Sequence, residues 1–320
     1  MDLNELRERQ SWPLEKKIDH SILVIDTFLS RTNCNAFVSF SGGKDSTVLL
    51  DLVRHFTELA YGDANIIPAM FVNTGNEYPD IVHFVRHLKE DSGYNIEIVR
   101  PSKTPRQVWA EKGFPLIGKE QAEYIYRCRK NPNAINLIND QLSKGNTFGV
   151  VSRKWQYLID APYDTSQACC GLLKKAPAHA YQKRTKRFPI IGTMAEESKL
   201  RESIYIRRGG GCFSFKEDGA TTTMAAPLSI WTEADIWDYI KKFNLEISNI
   251  YHKGAKRTGC VGCGFGCQFK QDNRFEILYR NYPKYYQMIM AYTNNGHTYR
   301  EAIQQIFAIQ GKTLPDELLF

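Results

Sequence analysis

The fold of this chain is decided near its N-terminus by the stretch Phe40-Ser41-Gly42-Gly43-Lys44-Asp45-Ser46-Thr47. The residues before it, 36–40, are apolar and rich in strand formers, whereas residues 47–54 carry leucines and valines at helical spacing. The pattern predicts a strand, a tight glycine turn and a helix whose N-terminus is capped by Asp45 or Ser46. Unpaired backbone N–H groups and the positive end of the helix dipole then meet at one point, which suits a phosphate group.

The side chains of this loop also suit an anion. Gly42 and Gly43 let the backbone approach it closely, Ser41 and Ser46 add hydroxyl donors, and Lys44 supplies a positive charge. The spacing is not that of the Walker loop, because no G-x-x-x-x-G-K-[ST] is present. An ordinary Gly-Gly turn is the plain alternative. The match over the whole run disfavours it, because the run resembles the PP-loop of ATP pyrophosphatases, which split ATP into AMP and pyrophosphate.

Composition narrows the class of protein. A chain of 320 residues can form one large domain or two smaller ones, and its 42% hydrophobic and 24% charged residues are ordinary for a soluble globular protein. No apolar run approaches membrane-spanning length, and the polar first residues do not resemble a secretory signal. We therefore predict a cytoplasmic location and no membrane partner.

The charge is unevenly distributed. The formal net charge is +7, and basic residues form four clusters. Such clusters are usually solvated faces, but in a protein that handles nucleotides they favour a polyanionic partner. The clusters are Lys174-Lys175, Lys183–Arg187, Arg207-Arg208 and Lys253–Arg257.

Strands and helices alternate in the first hundred residues. An amphipathic helix is predicted at 14–32, a buried strand at 66–72, a helix at 81–90 and a third strand at 96–99. Alternation of this kind predicts βαβ units and a parallel sheet, whose ligands bind beyond the carboxyl ends of the strands. The loop that begins at Ser41 and the segment Asn73-Thr74-Gly75 both follow strands, so we expect them to face one pocket.

The rest of the chain is more helical. Residues 104–145 carry no recognisable chemistry, and no internal repeat or low-complexity linker is present. We predict an N-terminal helical segment at 1–32, a nucleotide-binding core at 33–240 and a helical, cysteine-bearing part at 241–320 packed on that core. The further predicted elements are a basic helix at 174–186, a strand at 188–192, a helix from Thr232, and helices near 274–280, 284–293 and 299–309.

Eight cysteines in a cytoplasmic chain favour metal or redox chemistry over disulfides. Cys260-Val261-Gly262-Cys263 alone is most typical of zinc. The adjacent pair Cys169-Cys170 is less typical of zinc sites, whereas adjacent thiolates can reach different corners of an iron–sulfur cube. The three isolated cysteines are interpreted as plain buried thiols. They are Cys34, Cys128 and Cys212.

Five separated motifs together resemble one family. The two cysteine motifs resemble those of iron–sulfur adenylyl-sulfate reductases, and the full set resembles the phosphoadenylyl-sulfate (PAPS) reductase family over residues 36–290. That family includes the ATP pyrophosphatase components of DNA phosphorothioation systems of the Dnd and Ssp type, to which the likeness is closest in type. The resemblance implies an α/β fold, with a PP-loop, Rossmann-like parallel sheet of the adenine nucleotide alpha hydrolase kind and a helical C-terminal extension. The motifs are Ser41–Ser46, Asn73–Pro79, Cys169–Pro177 with Cys260–Cys263, Gly192–Arg201 and Pro227–Tyr239.

The resemblance also implies roles for individual residues. Lys44, Asp45 and Arg201 would be catalytic, although an exposed i, i+4 ion pair of Glu197 with Arg201 is the plain alternative. Cys267 is an extra thiol that would replace a ligand, carry sulfur as a nucleophile, or be a small core residue. The phosphates would be held by Ser41, Gly42, Gly43, Lys44, Asp45 and Ser46. The nucleotide would also be contacted by Asn73, Thr74, Glu77 and Glu197. A [4Fe–4S] cluster would be ligated by Cys169, Cys170, Cys260 and Cys263.

One departure from the reductases decides the expected chemistry. The true reductases use a cysteine near the C-terminus, and this sequence has none after Cys267. Without that nucleophile, the resemblance implies ATP-dependent adenylation of an oxygen-bearing substrate, with Mg²⁺ on the phosphates and sulfur from a cysteine desulfurase partner. DNA is the preferred substrate, in company with other DNA-modification proteins. The alternatives are a sulfonucleotide reductase, a tRNA thiolation enzyme and a non-catalytic nucleotide-binding subunit.

Overall fold

A computed structural model describes residues 2–131, 133, 150–209, 211–217 and 220–317. The chain divides into two compact units that are interleaved along the sequence. The first unit comprises Met1–Asn73, Pro79–Val99 and Ala178–Tyr251, and the second comprises Thr74–Tyr78, Arg100–Pro177 and His252–Phe320. The domain boundaries expected near residues 33 and 240 stay a prediction.

A six-stranded sheet forms the centre of the first unit within the described residues. Neighbouring strands are parallel throughout, except that the last strand pairs antiparallel with the one before it. The predicted α/β class with a parallel sheet is therefore confirmed. In order across the sheet the strands are Ile96–Val99, Ala69–Val72, Ala36–Phe40, Phe188–Ile191, Ala220–Ala226 and Gly211–Glu217.

Amphipathic helices cover this sheet. The helix predicted at 14–32 spans Leu14–Thr32, and its buried face includes Val24, Ile25 and Phe28 because these residues recur at helical spacing. The helix predicted from Thr232 begins at Glu233, with Thr232 as its N-cap in a capping box with Asp235. The other helices with residues in this unit are Leu3–Gln10, Lys44–Tyr61, Pro79–Glu90, Ala176–Thr185 and Lys199–Arg208.

Short helices around an aromatic core make up the second unit. The ring centroid of Trp109 lies 6.2 Å from that of Phe114 and 4.7 Å from that of Tyr299, and all three side chains are buried. Leu116–Ile117 pairs in parallel with Gly264–Phe265. The predicted C-terminal helices are confirmed. Residues 132 and 134–145 of the stretch predicted to be mostly helical lie outside the described residues. The helices are Pro105–Lys112, Lys119–Lys130, Ala168–Cys170, Arg274–Asn281, Pro283–Met290 and Tyr299–Ile309, with a π-helical turn at Gly171–Lys175.

Two local features differ from the sequence predictions. The second strand begins at Ala69 and not at residue 66, since Pro68 has no N–H group to donate to a sheet. The antiparallel pair Gly211–Glu217 and Ala220–Ala226 was not predicted, although the Asp218-Gly219 sequence between the strands is a hairpin signal. Among the described residues, no helix has the length and apolarity needed to cross a bilayer.

Candidate functional site

The glycine loop of the first unit connects strand Ala36–Phe40 to helix Lys44–Tyr61. Gly43 is the N-cap, so the expected cap by Asp45 or Ser46 is wrong, because both residues lie inside the first helical turn. The Ser46 hydroxyl instead donates to the Gly43 carbonyl at 2.9 Å. The amide group of Lys44 donates to the Tyr251 hydroxyl at 2.7 Å. A polar acceptor thus already lies at the helix N-terminus, the position that favours an anion.

Close packing explains two glycines at this site. Gly42 has a φ of +72°, and a Cβ there would lie 2.8 Å from Ile81 and 3.0 Å from Val85. Gly192 follows strand Phe188–Ile191, and a Cβ on it would lie 3.2 Å from the carbonyl oxygen of Asp45. A side chain at either position would therefore displace the backbone of the glycine loop or the residues packed against it.

The loop hydroxyls hold one another in place. The Oγ atoms of Ser41 and Ser46 are 2.9 Å apart, and the backbone N–H of Ser41 donates to Ser46 Oγ at 3.1 Å. The N–H of Gly43 donates to Ser41 Oγ at 3.3 Å. These bonds fix the turn that presents the helix N-terminus.

Lys44 is a buried cation with acidic neighbours. Its side chain is 5% exposed, and its ammonium nitrogen lies 3.0 Å from Asp45 Oδ1 and 3.3 Å from Glu233 Oε1. Burial acts to lower the pKa of Lys44, but the nearby Asp45 and Glu233 raise it overall. Lys44 therefore keeps its charge at neutral pH and can exchange a carboxylate for a phosphate oxygen.

In the first unit, three segments that carry predicted site residues follow the carboxyl ends of neighbouring parallel strands, at one end of the sheet. Strands Ala36–Phe40 and Ala69–Val72 are parallel with Phe40 opposite Phe71, so Ser41 and Asn73 both follow carboxyl ends there. The N–H of Asn73 donates to the Val99 carbonyl at 2.9 Å. Gly192 follows the carboxyl end of Phe188–Ile191, the strand that pairs in parallel with Ala36–Phe40 on its other side.

Glu197 and Arg201 form an i, i+4 ion pair, which the sequence analysis gave as the alternative to a role at the nucleotide. Their side chains are in contact between the 3₁₀ turn Ala195–Glu197 and the first turn of helix Lys199–Arg208, and Glu197 Oε1 also accepts a hydrogen bond of 2.9 Å from the N–H of Met194. Both side chains remain partly exposed. A role for either residue at a nucleotide stays a prediction.

In the second unit, Thr74 and Glu77 belong to one tight turn. Glu77 Oε1 accepts from the Thr74 hydroxyl at 2.7 Å, and Oε2 accepts from the Thr74 N–H at 2.9 Å. The carboxylate therefore fixes the backbone of residues 74–77, and its predicted contact with a nucleotide stays a prediction.

Asn76, which the sequence analysis did not single out, connects this turn to the cysteine loop, residues Cys260–Cys263. Its carbonyl accepts from the N–H of Val261 at 2.8 Å, and its side-chain Oδ1 accepts from the N–H of Gly262 at 3.2 Å. A Cβ on Gly262 would lie 2.8 Å from Ile289 and 2.9 Å from Trp109, so the loop packs tightly. The available signal was position alone, because Asn76 lies within the motif Asn73–Pro79.

Replacing Asn76 tests this attachment. Asn76→Ala leaves the buried N–H of Gly262 without its acceptor, so we expect the free energy of unfolding to fall by about 1–3 kcal/mol. Urea titration followed by circular dichroism measures the loss. Gln287→Ala, which removes an exposed amide from a helix of the same unit, should change stability by less than about 0.5 kcal/mol. Equal effects of the two substitutions would show that the Asn76 side chain does not hold the loop.

The cysteines of the two motifs are free thiols in the second unit. The neighbouring Cys169 thiol lowers the pKa of Cys170, and Lys119 and Lys174 act in the same direction. Cys170 in turn raises the pKa of Cys169, as does burial. Burial raises the pKa of Cys260 and of Cys263, and the charge of Lys174 acts against this rise at Cys260. Lysines thus partly offset the effect of burial on one thiol of each motif.

Two basic residues that the sequence analysis missed bind the backbone at the end of the second cysteine motif, Cys260–Cys263, and at Cys267. Arg274 donates to the Cys263 carbonyl at 2.7 Å and is paired with Asp272, while Lys312 donates to the Cys267 carbonyl at 2.8 Å. Cys267 is fully buried, and burial raises the pKa of its thiol to about 12. These facts favour the core interpretation of Cys267 over a sulfur-carrying nucleophile.

The cysteines of the two motifs can be compared with the ligands of a single metal ion and with those of a [4Fe–4S] cluster. Within the described part of the chain, no three His, Cys, Asp or Glu side chains are placed to hold a single metal ion. In a [4Fe–4S] cluster each thiolate binds a different iron atom, so the sulfurs surround the cluster and do not converge on one ion. Four free thiols, with lysines near Cys170 and Cys260, are ligands of the chemical type that such a cluster takes. Of the isolated cysteines, Cys128 is buried as predicted, whereas Cys34 and Cys212 are only half-buried.

Comparison with known proteins identifies relatives among sulfur-metabolism enzymes. The profile of the phosphoadenosine phosphosulfate reductase domain matches residues 35–264. An adenosine 5'-phosphosulfate reductase of Staphylococcus haemolyticus is 30% identical over 74% of this chain and 73% of its own length. A sulfate adenylyltransferase subunit 2 of Shewanella woodyi is 24% identical over 68% of this chain and 60% of its own.

Two further relatives are matched over a smaller share of their own length. An uncharacterized protein of Methanocaldococcus jannaschii is 24% identical over 78% of this chain and 46% of its own length. An adenosine 5'-phosphosulfate reductase of Lysinibacillus sphaericus is 26% identical over 45% of this chain and 57% of its own length. This chain thus spans about half the length of these curated relatives. Among solved structures, the PAPS reductase of Candida auris has a TM-score of 0.44 at 12% identity, covering 81% of this chain and 96% of that one.

Proposed function

Because the chain belongs to the phosphoadenosine phosphosulfate reductase domain family, we propose that it is an ATP pyrophosphatase that adenylates an oxygen-bearing substrate for sulfur insertion, in DNA phosphorothioate modification. The observation that carries the proposal is the glycine loop between a parallel strand and helix Lys44–Tyr61, with the charged Lys44 buried beside it. This geometry suits the phosphates of ATP. The likeness to an adenylyltransferase subunit adds support for ATP as the nucleotide.

The reaction follows from this binding mode. ATP brings Mg²⁺ on its phosphates, and Lys44 exchanges a carboxylate partner for an oxygen of the leaving pyrophosphate, with Asp45 orienting the ammonium group. The substrate oxygen attacks the α-phosphorus, and pyrophosphate leaves. A persulfide from the desulfurase partner then displaces AMP, which carries the original oxygen away, and a second thiol cleaves the resulting S–S bond, leaving the sulfur on the substrate and forming a disulfide with the carrier. Asn73, Thr74, Glu77, Glu197 and Arg201 would contact the nucleotide, Arg201 as a catalytic cation.

Cys169, Cys170, Cys260 and Cys263 would hold the [4Fe–4S] cluster. When bound, the cluster supplies a covalent cross-link between two segments of the second unit and a capacity for electron transfer. The chain's own contribution is to favour thiolates through Lys119 and Lys174 and to hold the second motif on Asn76. These actions do not depend on the substrate.

DNA is proposed as the substrate on chemical grounds. A nonbridging phosphate oxygen is a very poor leaving group until it is adenylated, and the chain's net charge of +7 suits contact with phosphates. The sulfur would come from a cysteine desulfurase partner, and other DNA-modification proteins would complete the system. Reduction of a sulfonucleotide is the second candidate, which the similarity to the Staphylococcus haemolyticus reductase favours.

Mass spectrometry of nucleic acids tests the substrate. Genomic DNA from cells that carry this gene with its native neighbours should yield phosphorothioate dinucleotides after digestion, and cells with the Lys44→Ala gene should yield none. A gene-dependent thiolated base in tRNA, with unmodified DNA, would transfer the assignment to RNA. Release of sulfite from a sulfonucleotide, with neither nucleic acid modified, would establish the reductase instead.

A further inference from the structure

A cavity of about 890 Å³ lies within the second unit. Its walls come from helices Pro105–Lys112 and Lys119–Lys130 and from residues 164–171, and Cys170 lies in its lining. The volume falls within the range of about 300–1,000 Å³ that is typical of ligand sites. A ligand bound there would lie beside the first cysteine motif.

The lining carries an excess of positive charge. Among the described residues that line the cavity, five are cationic and three are carboxylates, a formal excess of two positive charges. Each carboxylate already contacts a basic side chain: Glu111 contacts Lys103, Glu123 contacts Arg127, and Asp164 contacts Arg129 at 3.0 Å. The cavity therefore favours an anionic ligand. The cationic residues are Lys112, Lys119, Arg129, Lys130 and Lys175.

An exposed aromatic ring lies among these charges. Tyr126 is 47% exposed, and the ammonium group of Lys130 lies 5.8 Å from the centre of its ring. A ring with a cation beside it offers a stacking surface for a base and a charge for the adjoining phosphate. An acidic peptide would use the lysines but has no comparable use for the ring.

We propose that this cavity binds a single-stranded segment of the polynucleotide acceptor, with phosphates on Lys112 and Lys130 and a base stacked on Tyr126. The volume admits one or two unpaired nucleotides and excludes a duplex. This inference rests on the proposed function, since it gives the acceptor a place beside the cysteine motif. Deoxyribose and ribose strands share the recognised chemistry, so the experiment compares them.

The test measures fluorescence anisotropy of a short labelled single-stranded DNA, and of the same sequence as RNA, with the full-length protein. Tyr126→Ala should weaken binding by about 10-fold, as loss of one stacked base does. Lys112→Ala with Lys130→Ala should reduce the slope of log affinity against log salt by about 1.4, because two phosphate contacts to a single strand are lost, at about 0.7 each. The charge-matched control is Lys270→Ala with Lys284→Ala, two exposed lysines of the same unit outside the cavity.

Each outcome decides a separate point. Equal weakening by the cavity variants and the control, or unchanged affinity in both, would overturn the inference. Loss confined to RNA would support the cavity and identify RNA as the acceptor. Displacement by a poly-glutamate peptide that is insensitive to Tyr126→Ala would overturn it in favour of an acidic protein segment. AMP release from ATP, measured in parallel, reports on the proposed function, because no cavity residue tested here belongs to the glycine loop.

Discussion

Lys44→Ala should reduce the formation of AMP and pyrophosphate from ATP by about 100-fold or more. Its ammonium group is the buried cation at the start of helix Lys44–Tyr61, and removal of such a preorganised charge from a developing anion commonly costs two to three orders of magnitude. Chromatographic separation of AMP from ADP measures both the rate and the products. Asp45→Ala should give a similar loss, since Asp45 contacts the ammonium at 3.0 Å.

The fold should survive these substitutions. Asp45 and Glu233 are partly exposed, so water can solvate their carboxylates once Lys44 is gone, and circular dichroism should be unchanged. The matched control is Lys241→Ala, an exposed lysine of the same unit, which should keep full activity. ADP as the main product of the unmodified protein would refute the PP-loop assignment, whatever the variants do.

Cys260→Ser and Cys263→Ser should each abolish an iron–sulfur chromophore. Protein purified without oxygen should be brown, with iron and acid-labile sulfide in near-equal amounts, because four free thiols of one unit suit a [4Fe–4S] cluster. A serine oxygen is a poor substitute for a soft thiolate, so both variants should be colourless. Visible absorbance with iron and sulfide determination gives the measurement, and Cys170→Ser should behave in the same way.

Cys212→Ser is the matched control for the cluster. Its half-buried thiol donates to the Val24 carbonyl in the first unit, a bond that a serine hydroxyl can keep, so the colour should remain. Stoichiometric zinc without labile sulfide in the unmodified protein would contradict the iron–sulfur proposal and restore the structural-zinc interpretation of Cys260 and Cys263.

Local periodicity explains which parts of the fold were predictable. The helix at 14–32 and the strands at 36–40 and 96–99 were predicted correctly, because hydrophobic spacing over several residues reports directly on the buried face. The N-cap was predicted wrongly at Asp45 or Ser46. Both are favourable capping residues, but the extended backbone at Gly43 starts the helix earlier.

Long-range contacts explain what was missed at the site. Asn76 binds the backbone of Gly262, and Lys312 binds that of Cys267, across large separations in sequence. No spacing rule relates such residues, because their partners are fixed only when the chain has folded. The cysteine motifs were recognisable since cysteine chemistry depends on residue type, whereas the residues that hold them are ordinary polar side chains.

The interleaving of the two units has a consequence for biosynthesis. In the sheet, strand Ala36–Phe40 lies between strands Ala69–Val72 and Phe188–Ile191. Strand Phe188–Ile191 leaves the ribosome long after strand Ala36–Phe40. At roughly 5–20 residues per second, the nascent chain waits on the order of ten seconds or more for the later strand. During that time one edge of the strand ahead of the glycine loop has no partner, and exposed strand edges are templates for aggregation. The yield of folded protein therefore depends on how well that edge is protected during translation.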